Sequence, residues 1–247
     1  MRYFIELAYF GKNYHGWQNQ PDAVSVQEKV ETALSKLFQK TVEITGAGRT
    51  DAGVHAKQIF AHFDIQKKID TEQLQFKLNS MLPPDIAVNK VFEVKPLAHA
   101  RFDALSRSYE YLIINKKDPF LIDRAYFIKK NLDIDKMNEA AEILKTYTNF
   151  KCFSKSRTDV KTYNCKIEKA RWEREGDILK FSITADRFLR NMVRAIVGSL
   201  IEIGLGKTTV ENLHEIIRSE DRSKAGTSVP AKGLYLTEVT YPNIAIE

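Results

Sequence analysis

The sequence predicts an α+β fold built from two ferredoxin-like halves that follow one another along the chain. Three observations lead to this prediction. Apolar residues alternate in strand segments, they recur at helical spacing between those segments, and the order β-α-β-β-α-β occurs twice without any repeat in the residues themselves. Because strand edges tend to pair, we expect the halves to join into one extended antiparallel sheet with helices on one face.

The first half opens with an alternating strand at residues 2–10 and a helix that begins after Ser25. Ser25 and Glu28 have the spacing of a capping box, in which each side chain bonds the backbone N–H of the other residue. A second helix covers Thr71–Met81 and ends before two prolines, since proline cannot continue a helix. The remaining strands of this half are predicted at residues 41–45, 58–65 and 86–94.

The second half repeats the same order of elements. Its first strand is predicted at residues 108–114 and its first helix at Ile134–Leu144. The later elements are a hairpin at 166–174 and 178–185, a helix at 189–203, a short helix after 208–211 and a closing strand at 234–241. The seam at 95–108 lacks the Gly/Ser composition of a flexible linker, so we expect tightly packed domains at residues 1–105 and 106–247.

Composition narrows the class of protein. The 247 residues are 43% hydrophobic and 28% charged, as in a soluble globular protein that can bury a sizeable core. The net charge of +6 favours polyanionic partners such as nucleic acids. Cys152 and Cys165 lack the neighbouring histidines of a zinc site, while a disulfide between them stays open. With no cleavable signal and no apolar run near ~18 residues, we expect a cytoplasmic protein.

A glycine-rich connection at residues 46–56, with the sequence GAGRTDAGVHA, carries the clearest chemistry. It presents the guanidinium of Arg49 beside the carboxylate of Asp51. It is not a Walker loop, because no GK[ST] follows, nor a dinucleotide fingerprint, because a strand follows instead of a helix. An ordinary hairpin loop with a turn-forming aspartate is the alternative. Three glycines can reach positive φ and so let the loop turn tightly and admit another molecule: Gly46, Gly48 and Gly53.

The run GRTDAGVHA at residues 48–56 resembles the active-site motif of the TruA family of tRNA pseudouridine synthases. The resemblance implies that Asp51 is the catalytic residue, that Arg49 supports it, and that the chain has the pseudouridine synthase fold. It also implies the reaction, which converts uridine to pseudouridine at positions 38, 39 and 40 in the anticodon arm of tRNA. No cofactor and no metal is implied, and the implied assembly is a homodimer whose two subunits share one tRNA.

The run RFDALSRSYEY at residues 101–111 resembles the family's A-R…R-x-Y-x-Y pattern. In that pattern the first tyrosine, here Tyr109, contacts the target base. The resemblance further implies that Arg101 and Arg107 bind the substrate. A tyrosine ring can stack on a flipped pyrimidine, and its hydroxyl can form a hydrogen bond or shuttle a proton. Without the motif, Tyr109 would be interpreted as a core aromatic of a strand.

The run FLRNMVRAIVG at residues 188–198 resembles a helix of the same family and contains Arg194. At helical spacing Arg194 falls on the flank of the apolar stripe, from where it could point into a cleft or extend to solvent. In the family this arginine pairs with the catalytic aspartate, and such a pair would hold Asp51 ionised. An N-terminal WQxQ pattern and a C-terminal PAxGLxL pattern, which implies a substrate-binding role for Leu234, extend the resemblance over essentially the full chain.

The match is weakest in the middle of the chain. The family's GxHDFxxF pattern is replaced by a run without the histidine and the aspartate, and a basic, loop-like stretch follows at residues 155–161. Two other classes of protein are alternatives. One is a non-catalytic RNA-binding module, whose RNP1 core is absent. The other is a small-metabolite enzyme such as a retaining glycosidase, which needs two carboxylates about 5–5.5 Å apart where the loop offers one. Asp51 could attack C1′, add to the uracil ring or act as a base, and the sequence leaves these three open.

Overall fold

The computed structural model describes residues 1–156 and 160–245. They form two compact units, Met1–Leu105 together with the chain from Leu236 onwards, and Ser106–Tyr235. The predicted α+β class is confirmed, because each unit packs helices against a mainly antiparallel set of strands. The final segment, which the sequence assigned to the domain at 106–247, belongs in the structure to the unit that begins at Met1.

Nine strands and five α-helices are found in the described parts of the chain. The strands are β1 (Arg2–Tyr9), β2 (Thr45–Gly46), β3 (His55–Asp64), β4 (Ile86–Val94), β5 (Ser106–Ile114), β6 (Tyr126–Phe127), β7 (Ile167–Glu175), β8 (Ile178–Ala185) and β9 (Leu234–Thr240). The helices are α1 (Val26–Phe38), α2 (Thr71–Met81), α3 (Ile134–Leu144), α4 (Met192–Gly204) and α5 (Asn212–Ser219). The predicted bounds of α2, β4, α3 and β8 agree with the structure at both ends.

The first unit has the strand order β4-β1-β3-β9, with β2 paired to β3. Strand β1 runs antiparallel to both of its neighbours, so that Tyr3 lies opposite Phe63 on β3. The register between β1 and β3 shifts between Leu7 and Tyr9. Such an irregularity bends a strand and redirects its side chains, and this one lies where β1 approaches the glycine-rich connection.

The core of the first unit covers both faces of β1 near its beginning. The alternation predicts one buried face, and its residues are indeed 0–4% exposed: Tyr3, Ile5, Leu7 and Tyr9. Phe4 points to the opposite face and is equally buried. Its ring packs against those of Phe60, Phe92 and Tyr241 at centroid distances of 6.3, 5.9 and 5.4 Å. Tyr241 follows β9 directly, so the end of the chain covers a face that the alternation alone left open.

The strand predicted at residues 41–45 is present only as the two-residue β2. Helix α1, whose predicted capping box of Ser25 and Glu28 is confirmed, supplies the reason. The backbone N–H of Val42 donates to Ser35 Oγ, and that of Ile44 donates to Glu31 Oε1, both at 2.9 Å. Side chains of the helix thus accept the bonds that a neighbouring strand would otherwise take. Strand β3 in turn begins three residues before the predicted start.

The second unit pairs β5 with β8 and β8 with β7, and β6 adds a short parallel bridge to β5 that periodicity did not predict. Helix α3 packs against β7 and α4. Helix α4 is buried nearly all round, since only Arg194 and Glu202 among its residues escape burial. Its predicted start at residue 189 lies three residues early, because Asn191 adopts a left-handed φ of 66° that no helix interior tolerates.

Several predicted features concern cysteines, metals and membranes. Cys152 and Cys165 are both buried free thiols, so the disulfide that the sequence left open does not form. Within residues 1–156 and 160–245, no group of three or more His, Cys, Asp and Glu side chains is arranged to hold a metal ion. The same residues contain no helix with the length and apolar character needed to span a membrane. The loop predicted at 155–161 lies partly outside the described residues, since 157–159 are not among them.

Candidate active site

The glycine-rich connection leaves β2 and returns into β3 through a tight turn. The backbone N–H of Ala47 donates to the Phe60 carbonyl at 2.7 Å, which extends the pairing beyond β2. At the far end, the N–H of Val54 donates to the Asp51 carbonyl at 3.2 Å. Gly53 lies inside this turn with a φ of 77°, a value that favours glycine. The turn therefore fixes the backbone of Asp51 through local hydrogen bonds.

Only one of the three glycines predicted to use positive φ does so, and the other two have different roles. Gly46 is needed for space, because a Cβ there would lie 2.2 Å from Nε1 of the buried Trp17. At Gly48, among the residues that the structure describes and apart from its two chain neighbours, no atom lies within 4 Å of the position that a Cβ would take. The loop backbone is thus packed against protein at its start and open two residues later, where another molecule could approach it.

Thr50 ties the loop to the start of the chain. Its hydroxyl oxygen lies 2.8 Å from the hydroxyl oxygen of Tyr9, at the end of β1. The same oxygen accepts the backbone N–H of Trp17 at 3.1 Å. A Cβ on Gly16 would lie 2.2 Å from the Thr50 carbonyl oxygen, so the two segments are in direct backbone contact. The residue before Asp51 is consequently held by both its side chain and its main chain.

His55 anchors the other end of the loop. It is 1% exposed, and its ring stacks on that of Phe10 at a centroid distance of 4.3 Å with 8° between the planes. Its Nδ1 accepts the backbone N–H of Gly11 at 2.9 Å. The N–H of Gly53 donates to the carbonyl of Tyr14 at 3.2 Å, which adds a further bond between the same two segments. The histidine of the motif thus acts as a packing and hydrogen-bonding anchor.

The burial pattern of the loop separates its apolar residues from its charged ones. Ala47, Val54 and Ala56 are 1–3% exposed and form part of the core. Arg49 is exposed and Asp51 is half-buried. The loop therefore packs its apolar residues into the core while its guanidinium stays exposed and its carboxylate half-buried.

Arg101, a predicted substrate-binding residue, belongs to the same unit as Asp51. It is exposed, and its guanidinium carbon lies 5.6 Å from the ring centroid of Phe102. This distance is within the range of a cation–π contact. The family motif predicted a role for Arg101 but none for Phe102, whose apolar side chain is 74% exposed.

Tyr109 and Arg107 lie on β5 of the second unit. The ring of Tyr109 is half-buried and meets that of Phe188 edge to face, with centroids 5.2 Å apart. Nη1 of Arg107 donates to the carbonyl of Asp186 at 2.9 Å. Tyr111, two residues on, is fully buried and donates its hydroxyl to the Pro230 carbonyl at 2.8 Å, and burial raises its pKa well above the ordinary value. Of the two tyrosines in the motif, only Tyr109 keeps part of its surface exposed.

Arg194 is half-buried on α4 and is joined to the segment before β9. Its Nε donates to the Val229 carbonyl at 2.8 Å, and the N–H of Val229 donates to the Arg194 carbonyl at 3.2 Å. A Cβ on Gly198, one turn further along the helix, would lie 2.0 Å from the carbonyl oxygen of Thr227. The helix and this segment are therefore in close contact, which fixes the stem of the arginine. Leu234 is 5% exposed.

The predicted site residues are thus distributed over the two units. Arg49, Asp51 and Arg101 lie in the first, and the remaining four lie in the second: Arg107, Tyr109, Arg194 and Leu234. The anchoring roles of Tyr9, Thr50 and Trp17 were not predicted from the sequence. The signal that could have indicated them is the threonine inside the motif and the tryptophan of the WQxQ pattern.

An α+β frame that carries this loop is typical of the pseudouridine synthases, the class of RNA-modifying isomerases that the motif predicts. A family model described as tRNA pseudouridine synthase matches residues 7–103 and 140–242. The chain is 54% identical over 242 residues to tRNA pseudouridine synthase A of Parabacteroides distasonis, covering 98% of this chain and 96% of that protein.

Two further relatives carry the same name. The protein of Bacteroides thetaiotaomicron is 54% identical over 244 residues, covering 98% of this chain and 91% of the relative. That of Francisella tularensis is 36% identical over 247 residues, covering 99% and 96%. The chain therefore belongs to the tRNA pseudouridine synthase family. The predicted family and the predicted class of enzyme, an isomerase, are both confirmed.

Proposed function

We propose that this chain isomerises uridine to pseudouridine at positions 38, 39 and 40 in the anticodon arm of tRNA, with ionised Asp51 as its catalytic residue. The observation that carries the proposal is the anchored loop, which holds Asp51 half-buried beside the exposed Arg49 while its neighbours are packed or hydrogen-bonded. Family membership supports the reaction and the class of substrate. A synthase of the same family with a different choice of uridines, or a non-catalytic RNA-binding module, are the alternatives.

The reaction rearranges bonds within one nucleotide. The bond between C1′ and N1 breaks, the uracil turns, and C5 bonds to C1′, while C5 loses its proton and N1 gains one. Product and substrate are therefore isomers, and no group donor or oxidant is consumed. Asp51 can serve this sequence as a nucleophile at C1′, as a nucleophile on the uracil ring or as a base. Each role needs its carboxylate form.

Two arginines support that carboxylate in the proposal. Arg49 is two residues from Asp51 on the same loop, and Arg194 is the family's partner of the aspartate. The Nε bond of Arg194 to the Val229 carbonyl orients the guanidinium, whose planar fork carries further donors suited to a carboxylate. A guanidinium held in this way stabilises a carboxylate more than a mobile one does, because less rotamer entropy is lost.

The substrate base must leave its stack before it reacts, which costs a few kcal/mol. We assign Tyr109 to contact with the extruded uracil, Arg101 and Arg107 to phosphate contacts, and Leu234 to substrate binding. Stacking and neutralised phosphates offset the cost of extrusion.

The assembly we propose is a cytoplasmic homodimer that acts on tRNA, as the family resemblance implies, without a metal or a cofactor.

The test is release of tritium from tRNA transcripts that contain [5-³H]uridine, measured in single turnovers. Wild type is expected to release tritium, and Asp51→Asn and Asp51→Ala are expected to release none above background while retaining tRNA in filter binding. Asp22→Asn is a matched control, because Asp22 is exposed and asparagine tolerates its φ of 56°. Release by Asp51→Asn at the wild-type rate would refute the catalytic assignment.

Transcripts that keep one uridine among positions 38, 39 and 40, and carry other bases at the remaining two, test the choice of site. Release from all three, and none from a transcript that lacks them, is the expected result. Release only from uridines elsewhere would favour a synthase with another site choice. A folded wild type that binds tRNA and releases no tritium from any of several tRNAs would instead favour the RNA-binding module.

A further inference from the structure

The turn at residues 99–103 exposes an aromatic ring on a rigid backbone. Phe102 is 74% exposed, and a single exposed apolar side chain is ordinary by itself. The hydrogen bonds that order the backbone around it are more unusual. The N–H of His99 donates to Asp103 Oδ2 at 2.8 Å, and the N–H of Asp103 donates to the His99 carbonyl at 3.1 Å. These two bonds close the turn on both sides of Phe102.

The side chain of His99 then fills the inside of the turn. Its Nδ1 accepts the backbone N–H of Arg101 at 3.1 Å and that of Phe102 at 3.3 Å. Its ring lies 4.3 Å from the ring of Phe102, centroid to centroid, with 33° between the planes. The backbone of Phe102 is therefore fixed by hydrogen bonds and its ring is supported by a neighbouring ring.

His99 is itself braced against β3. Its ring lies 4.6 Å from that of His62, which is 6% exposed and whose Nδ1 accepts the N–H of Ala100 at 3.2 Å. Burial and the nearby guanidinium of Arg2 lower the pKa of both histidines, which keeps Nδ1 of each available as an acceptor at neutral pH. The support of the exposed ring thus extends into the core of the first unit.

The ring also has a cation beside it. The guanidinium carbon of Arg101 lies 5.6 Å from its centroid. An aromatic ring with an adjacent arginine is the combination with which proteins hold unpaired nucleotides, because the ring stacks on a base while the cation attracts the backbone or stacks as well. A ring that is already ordered loses little entropy on binding.

We propose that Phe102 is a stacking platform for an unpaired base of the tRNA substrate, and that His99 is the positioning residue that holds it. The proposal rests on the proposed function, since it takes tRNA as the ligand. Arg101 is the electrostatic part of the platform. Stacking tolerates any base. Phe102 therefore contributes to the affinity for an unpaired nucleotide but does not select which base it carries.

Substitution tests the ring directly. Phe102→Ala is expected to weaken tRNA affinity and lower kcat/KM by about five- to a hundredfold, the range for loss of one base–aromatic stack. Phe102→Tyr and Phe102→Trp are expected to stay within threefold of wild type. Leu97→Ala is the matched control, because Leu97 is 91% exposed in the same segment and has no ring. Equal effects of Phe102→Ala and Leu97→Ala would overturn the proposal.

Fluorescence gives a readout that does not depend on activity. Both natural tryptophans, Trp17 and Trp172, are 2% exposed. Phe102→Trp adds an accessible indole, whose emission is expected to be quenched by tRNA more strongly than that of the wild type or of Leu97→Trp. Quenching by tRNA with no tritium release from any variant would leave the platform standing and reject the proposed reaction. Tritium release by the wild type without extra quenching of Phe102→Trp would support the proposed reaction and reject the platform.

The positioning role of His99 is tested by rescue. His99→Ala removes the acceptor of two backbone N–H groups and is expected to reproduce most of the Phe102→Ala loss. His99→Asn is expected to recover affinity, because an asparagine oxygen accepts the same backbone bonds in an Asx turn. Equal losses in both variants would refute the positioning role. A change of oligomeric state in Phe102→Ala by light scattering, with tRNA affinity per subunit unchanged, would show that the ring contacts protein and overturn the platform.

Discussion

The hydroxyl oxygens of Tyr9 and Thr50 lie 2.8 Å apart, so the last residue of β1 is bonded to the residue that precedes Asp51. The same threonine oxygen accepts the backbone N–H of Trp17. A charged residue on a glycine-rich loop would otherwise sample many positions, and catalysis depends on holding such a group within a fraction of an ångström. The backbone that leads into Asp51 is thus held by the side chain of a neutral residue beside it.

Thr50→Val should therefore impair catalysis more than binding. Valine keeps the shape of threonine but cannot bond Tyr9 or accept from Trp17, so we expect kcat to fall about ten- to a hundredfold while the Kd for tRNA changes less than threefold. Thr50→Ser keeps the oxygen and should stay close to wild type. Single-turnover tritium release and filter binding measure the two quantities. A Thr50→Val enzyme with wild-type kcat would show that the bonds are not needed.

Gly46→Ala and Gly48→Ala should differ in stability, although both replace a glycine of the same loop by alanine. A Cβ at residue 46 meets the buried indole of Trp17 at 2.2 Å, and overpacking of this kind costs about 1–3 kcal/mol. A Cβ at residue 48 meets no other described residue within 4 Å beyond its chain neighbours, so the free energy of unfolding should change by no more than about 0.5 kcal/mol. Urea unfolding measures both, and equal stability of the two variants would contradict the packing argument.

Arg194→Lys should retain the positive charge and lose the geometry. Lysine has no Nε–H to donate to the Val229 carbonyl and cannot present a planar fork to a carboxylate. We expect kcat to fall about a hundredfold with tRNA affinity nearly unchanged. Arg218→Lys is the control, because Arg218 is exposed in the last turn of α5. Similar kcat values for the two variants would argue against a role for the guanidinium fork.

His62 should make the protein less stable in mildly acidic solution. Its pKa is lowered to about 4, first by burial and then by Arg2 and His99, against opposing effects of Asp64 and Asp103. Above pH 6.5, the pKa of about 6.5 in the unfolded chain, this histidine is neutral in both states and does not lower the free energy of unfolding. As the pH falls from 6.5 towards 4, the unfolded chain binds a proton that the native state does not bind. The loss of unfolding free energy from this residue should reach about 2–3 kcal/mol near pH 4.

Two measurements check this pH dependence. The imidazole signals of His62 in the native protein should titrate with a midpoint near pH 4. In urea unfolding between pH 7 and pH 4, His62→Gln should show a smaller loss of stability than wild type, whereas exposed His15→Gln should follow the wild type. A native His62 midpoint near 6.5 would contradict the prediction.

Both thiols should be unreactive in the folded protein. Burial raises the pKa of Cys152 and of Cys165 to about 12, so the thiolate fraction at pH 8 falls to about 10⁻⁴. We expect iodoacetamide to label neither cysteine in native protein at pH 8 and to label both in urea. Mass spectrometry counts the labels, and rapid labelling of native protein would show that one of the two becomes accessible.

Local patterns predicted most of the elements and the identity of the site, and they failed where distant residues intervene. The bounds of α2, β4, α3 and β8 agree with the structure because periodicity and end signals lie within each element. The strand expected at residues 41–45 shortens to β2 because side chains of α1 bond its backbone. The predicted positive φ at Gly46 is replaced by a need for space beside Trp17, which is 29 positions away in the chain.

By itself the sequence determined the α+β class, the family and the residue proposed for catalysis, because periodicity and a contiguous motif are properties of neighbouring residues. Only the tertiary structure decided how the loop that carries Asp51 is held, through Tyr9, Trp17 and His55, and that Phe102 is exposed on an ordered turn. Those features depend on hydrogen bonds and ring contacts between segments distant in sequence, such as His62 with Ala100. No local pattern encodes which side chains meet when β1, β3 and the turn at residues 99–103 pack together.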